Sequence, residues 1–379
     1  MKVVQTVIRQ CAALAHELGA LAAIQPNLVL AFGSVALLRD AAPALAQAFP
    51  NSVRAGCSTA GEISNHGVED GTLVVTALRF AHARAVPVST TLSHMDDSRA
   101  AGQRLARALP LDGLRAVLLI GQGVQINGSA VLEGVVDVLG RSIPITGGLA
   151  GDGGAFAQTW ILDGEGASSE RLTCVGLYGE QLVFAHGSFG GWSPFGPARK
   201  VTRCANNVLF ELDGESALEV YKRYLGEHAK GLPASGLLFP FAMLGKDHSE
   251  VGLIRTILGV DEANGSLTLA GDIDPEGYLR LMHASTDALV EGAEAAAEAA
   301  QAMRGNAGEG LALLVSCVGR KLVMGGRVDE EVEAVGDVFG QGATLAGFYS
   351  YGEISPFSPS VDCKLHNQTM TITYLSETA

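Results

Sequence analysis

Gly56 to Ser64 reads Gly-Cys-Ser-Thr-Ala-Gly-Glu-Ile-Ser, and Gly347 to Ser355 reads Gly-Phe-Tyr-Ser-Tyr-Gly-Glu-Ile-Ser. Five of the nine positions agree, among them both glycines and the Glu-Ile-Ser that closes the frame. An apolar run leads into each copy, so each reads as strand, sharp turn, carboxylate. Gly61 and Gly352 are placed to adopt backbone angles closed to other residues or to let a second backbone come close. Glu62 and Glu353 then have two readings. Either carboxylate accepts hydrogen bonds from the N–H groups of its own turn, or the two turns form a symmetric site.

The likeness extends upstream. Val29 to Ser34 leads through a helical stretch, Asp40 to Phe49, into the first turn, and Leu313 to Cys317 leads through Glu330 to Phe339 into the second. A looser third copy runs from Ala116 to Gly121 through Ser129 to Leu139 into Ile143-Pro144-Ile145-Thr146 and the glycine-rich Gly147 to Gly154. A strand-helix-strand unit of this length makes a right-handed crossover between parallel strands. The expected fold class is therefore mixed α/β, built as two duplicated halves, each a mixed sheet with strand-helix-strand units flanked by helices. A chain of 379 residues suits two such domains.

Between these units the pattern predicts an amphipathic helix over residues 1–20 and a hairpin of Leu73–Leu78 with Ala83–Thr90. A helix from Asp96 or Asp97 to Leu109 follows, then short antiparallel strands after Trp160. Gly187 to Pro197 is too rich in Gly and Pro for a helix or central strand, and it carries Phe189, Trp192 and Phe195. Helices are expected over Glu215–Leu225 and Thr286–Arg304, and Asn264-Gly265 marks a hairpin. Leu365 to Ile372 alternates with period two, as Leu73 to Leu78 does after the first turn.

With 47 % hydrophobic and 17 % charged residues the chain can bury an extensive core. Its net charge of −14 and the lack of any dense Lys/Arg run exclude a nucleic-acid backbone or an anionic membrane as partner. No run reaches the roughly 18 apolar residues that a membrane helix needs, and the first residues lack a signal peptide's apolar core. The expected compartment is the cytoplasm. Six cysteines stand singly, without zinc or redox spacing.

There is no phosphate loop, no His-Glu-x-x-His and no nucleophile elbow. Cys57 or Ser58 at a strand end could serve as nucleophile, but the matching positions are Phe348 and Tyr349, and the expectation is a protein without catalytic residues. Among nine histidines none pairs with another at metal-site spacing. One imidazole in an apolar pocket still suffices for haem. His186 stands first for that role, ending an apolar strand beside the aromatic loop, followed by His66 and His366, which adjoin the two Glu turns.

Taken together, the two Glu turns, Gly148-Leu149-Ala150-Gly151-Asp152, Gly191-Trp192-Ser193-Pro194 and Leu365-His366-Asn367 resemble the FIST proteins. The resemblance covers nearly the whole chain and implies a FIST N-terminal domain over residues 1–207 and a C-terminal domain over 208–379. It implies a ligand-sensing module of intracellular signalling. Members of this size include haem-binding nitric-oxide sensors that modulate a histidine kinase or a cyclic-di-GMP enzyme in trans; the alternative is a small amino-acid-like ligand without haem. Cys57, Ser58, Glu62, Trp192, Tyr349 and Glu353 are the expected ligand contacts, and His186, His66 and His366 the haem-ligand candidates. A homodimer is left open.

Overall fold

The computed structural model describes residues 1–305, 308–357 and 362–378. Three strand-helix-strand units organise it. The first comprises strands Leu28–Gly33 and Val53–Ser58 with helix Val35–Ala48 between them. The second comprises Leu114–Gly121 and Ile145–Leu149 around helix Gly128–Leu139. The third comprises Gly310–Cys317 and Ala343–Ser350, with helices Val318–Met324 and Asp329–Phe339 between. In each unit the two strands pair in parallel, as the crossover requires. A long returning strand then pairs antiparallel with the first: Leu73–Arg79, Arg171–Tyr178 and Met370–Glu377 respectively.

A glycine holds each parallel pair together. Gly56, Gly147 and Gly347 lie opposite Ala31, Leu119 and Leu314, and a Cβ at any of the three would come within 1.8–1.9 Å of the neighbouring strand's carbonyl oxygen. That close approach is why the duplicated frame opens on Gly.

After its turn, each unit gives its next strand to another unit. Glu62–Ser64 pairs with Ala343–Ser350 of the third unit, Gly352–Pro356 with Ile145–Leu149 of the second, and Ile161–Asp163 with Val53–Ser58 of the first. The exchange closes into a ring. The same ring recurs in the turns themselves: Ala60 N donates to the Tyr349 carbonyl at 2.8 Å, Tyr351 N to that of Leu149 at 3.1 Å, and Gly151 N to that of Ser58 at 2.8 Å. The looser third copy is thus a full member of the arrangement. In register, Ile161 occupies the place held by Glu62 and Glu353.

Helix Thr286–Arg304 lays Ala293, Ala296, Ala297 and Ala300 on strand Leu182–Phe189 and the third unit's sheet. A fourth, antiparallel sheet is inserted between the second and third units. It runs from Ser193 to His283, carries helix Ala217–Leu225, and has its own core around Leu209, Leu218, Tyr221 and Leu267. The mixed α/β class is therefore as expected.

Three local expectations are corrected. Lys2–Ile8 is a strand paired with Leu73–Arg79, because Val3, Val4, Thr6, Val7 and Ile8 are β-branched and fill that sheet edge; the helix begins only at Leu14. Leu73–Arg79 and Arg84–Thr91 form no hairpin. The second pairs with Arg171–Tyr178, and the N–H groups of Ala81, His82 and Ala83 in the link donate to the Glu377 carboxylate at 2.7–2.8 Å, turning the chain between sheets. Gly61 has φ +144°, but Gly352 is not in the left-handed region; a Cβ there would press on Leu149 and Leu365 at 3.1 Å.

Candidate functional site

Both duplicated carboxylates are buried and bonded alike. Glu62 accepts from the Thr59 hydroxyl with one oxygen, and with the other from the Thr72 N–H at 2.8 Å and hydroxyl at 2.9 Å. Glu353 accepts from the Ser350 hydroxyl at 2.7 Å and from the Thr369 N–H and hydroxyl at 3.1 and 2.9 Å. Each Glu thus ties its turn to the start of the long returning strand. Burial raises both pKa values, that of Glu353 to about 8. Sequence reasoning missed Thr72 and Thr369, each of which stands just before the long returning strand of its unit.

The other residues of the frame lie in the same buried ring. Ser58 donates to the Gly151 carbonyl at 2.6 Å and accepts from Trp160 N at 2.8 Å. The Cys57 thiol is fully buried in an apolar cluster, and desolvation pushes its pKa well above the ordinary value, so it is held as the neutral thiol. The Tyr349 hydroxyl donates to Glu331 at 2.5 Å. Glu331 in turn makes a fully buried ion pair with Arg320 at 2.7 Å, a pair that sequence reasoning missed because neither residue belongs to a motif. Arg320 also donates to the carbonyls of Gly190 at 2.5 Å and Leu289 at 2.8 Å, fixing the aromatic loop to the third unit.

Trp192 and His366 share a pocket. It measures about 340 Å³ and lies between the aromatic loop and the antiparallel sheet, with Phe189, Arg280, Phe357 and Thr369 among its walls. The Trp192 indole donates to the Gln368 carbonyl at 2.8 Å, and Thr369 connects this pocket to Glu353. Among the described residues the buried Nε of Arg280 has no partner. His366 Nε2 lies 3.0 Å from the Ser355 carbonyl, and burial lowers its pKa to about 4. His66 is exposed on the loop after the first Glu turn, away from this pocket.

His186 stands apart from both. It is 1 % exposed on strand Leu182–Phe189, and among the described residues neither ring nitrogen has a hydrogen-bond partner. Desolvation holds it neutral, with a pKa of about 4. It faces a second pocket of about 490 Å³ walled by Leu114, Ile143, Pro144, Phe184 and Met303, with Arg115 exposed at its rim. A buried imidazole with no acceptor or donor opposite it is costly in an ordinary core.

The family described as FIST N domain matches residues 27–215, and that described as FIST C domain matches 217–356. The chain carries both FIST domains. FIST domains are signalling sensor modules. The FIST N match spans the first two units and the first strands of the antiparallel sheet, and the FIST C match spans the rest of that sheet and the third unit as far as the second Glu turn. An uncharacterized protein of Methanocaldococcus jannaschii is 37 % identical over 100 residues, which is 25 % of this FIST chain and 19 % of that protein's length.

Two solved structures are similar along the full length. A cyanuric acid hydrolase from A. caulinodans matches with TM-score 0.36 and 9 % identity, covering 100 % of this chain and 99 % of the other. A second cyanuric acid hydrolase matches with TM-score 0.32 and 10 % identity, covering 100 % of each. The expectation of a protein without catalysis is withdrawn on this finding, because both structures are enzymes. At these scores the likeness gives the FIST chain neither a substrate nor a reaction. Among the described residues no group of three His, Cys, Asp or Glu could hold a metal ion, and no helix is long and apolar enough to cross a membrane.

Proposed function

We propose that this FIST protein is a sensor that carries haem on His186 and reports nitric oxide to a histidine kinase or cyclic-di-GMP enzyme in trans. The observation that supports it is the His186 imidazole, buried, neutral and unpartnered among the described residues, at the wall of a pocket that sets Leu114, Ile143, Phe184 and Met303 beside the polar Arg115 and Ser142. The residues fit the group. Haem asks for an imidazole nitrogen free to bind iron, apolar walls for the macrocycle, and a cation near the rim for the propionates. His186 offers the first, Leu114, Ile143, Phe184 and Met303 the second, and Arg115 the third. When bound, haem would supply iron that can take up a small gas. The chain's part is to keep the imidazole neutral and dry, and to pass any shift of strand Leu182–Phe189 to the helix packed on it, Thr286–Arg304. Sensing then requires that the two ligation states differ in their affinity for the partner.

A second reading rests on the other pocket. There Arg280, whose Nε has no partner among the described residues, lies beside Trp192 and Phe189 and suits the carboxylate and side chain of a small amino-acid-like molecule. One experiment separates the two. Haem is titrated into the protein and its His186→Ala, His366→Ala and His66→Ala variants, and thermal midpoints are read against a panel of amino acids. Stoichiometric haem binding lost only in His186→Ala supports the first reading. Haem binding unchanged in that variant, with stabilisation by an amino acid, overturns it in favour of the second.

A further inference from the structure

A third cleft, of about 490 Å³, lies where helix Gly128–Leu139 faces the antiparallel sheet, and neither reading above uses it. At its inner end sits Arg255, 4 % exposed. Its Nε donates to the Asp272 carbonyl at 3.0 Å, and its Nη1 to the carbonyls of Ile254 at 3.0 Å and Leu365 at 3.3 Å. Three carbonyls orient this guanidinium but do not neutralise it. Among the described residues no carboxylate reaches it at ion-pair distance, and burial pulls its pKa down to about 10 against the opposing pull of the Asp272 charge. Removing a cation from water without a counter-charge is expensive, and an anion supplied from outside offsets that cost.

A second orphan lies beside it. The Ser129 hydroxyl, in the first turn of helix Gly128–Leu139, is buried and has no partner among the described residues. A Cβ on Gly271 would come 3.0 Å from Arg255 Nε and 3.1 Å from Ser129 Oγ, so the glycine keeps the space between the two groups open. A buried guanidinium with no carboxylate in contact among the described residues and a hydroxyl donor at a helix N-terminus form a receptor for an anion. At the rim the charges are engaged with one another: Arg99 with Glu133 and Asp137, and Arg141 and Lys364 with Asp362. Asp272, whose Oδ1 accepts from Asn127 Nδ2 at 3.2 Å, and Asp274 also line the cleft. These two carboxylates repel a doubly charged phosphate more strongly than a singly charged carboxylate.

We infer that this cleft binds a small monocarboxylate, held by the Arg255 guanidinium and the Ser129 hydroxyl. The contact would join the second unit, which carries Ser129, to the antiparallel sheet, which carries Arg255.

Acetate and propionate are the probes, titrated at constant ionic strength while the thermal midpoint and the heat of binding are recorded, with chloride and phosphate as controls. The expected result is saturable stabilisation by both carboxylates, about tenfold weaker binding in Ser129→Ala, and no response in Arg255→Met. Should Arg255→Met not fold, Ser129→Ala alone decides. No carboxylate response in the wild-type chain, an unchanged affinity in Ser129→Ala, or tighter binding of phosphate than of acetate would each overturn the assignment. None of these outcomes depends on haem, since the cleft shares no residue with the His186 pocket.

Discussion

Glu353 shows most plainly what the duplicated frame does. Its carboxylate is buried among three donors, and burial outweighs them, so its folded pKa of about 8 lies above the ordinary 4.5. A group raised in this way favours the folded state below its unfolded pKa and loses that contribution as pH rises through its folded pKa. Between about pH 4.5 and 8, stability should therefore fall with rising pH. Glu353→Gln keeps the shape and cannot ionise, so urea unfolding across that range should show a flatter pH dependence than wild type. Equal slopes would mean that Glu353 stays charged. The importance of the Glu was legible because the frame is repeated. Its partners were not, since Thr72 and Thr369 lie ten and sixteen residues downstream and reach it only once the returning strand is in place.

At the level of elements, local periodicity carried a long way. Helix Thr286–Arg304 has the expected ends, because Ser285 caps it and Gly305 terminates it. The strand-helix-strand units also read correctly, although helix Val35–Ala48 starts earlier than Asp40, at the Ser34 cap. Strand exchange left no such trace. A strand of three residues such as Glu62–Ser64 has the same local pattern whichever unit it joins, and its partner, Ala343–Ser350, is distant in sequence. The Arg320–Glu331 pair was equally hidden, yet it ties helix Val318–Met324 to the aromatic loop through Gly190. Arg320→Met leaves the buried Glu331 without its ion-pair partner, though still bonded to Ser316 and Tyr349, and should cost about 3–5 kcal/mol. The double variant Arg320→Met/Glu331→Leu should recover much of that loss in chemical denaturation. A double variant no better than the single one would assign the cost to the Gly190 and Leu289 contacts instead.

For the whole molecule, three units exchange strands around a closed ring, and the two Glu turns lie at its centre as buried fasteners with their oxygens already satisfied. The two pockets of His186 and Arg280 keep polar groups that have no partner among the described residues. The pocket of His186 is the one on which the proposed sensor rests, and it was legible only as a histidine ending an apolar strand; its want of a partner is a property of tertiary packing. The most direct test is the absorption spectrum of the purified chain after incubation with haem and removal of the excess, in ferric, ferrous and nitric-oxide-treated forms. A sharp Soret band at one haem per chain, with a clean shift on nitric oxide, is the expected result. A broad band that washes away with the excess would contradict it.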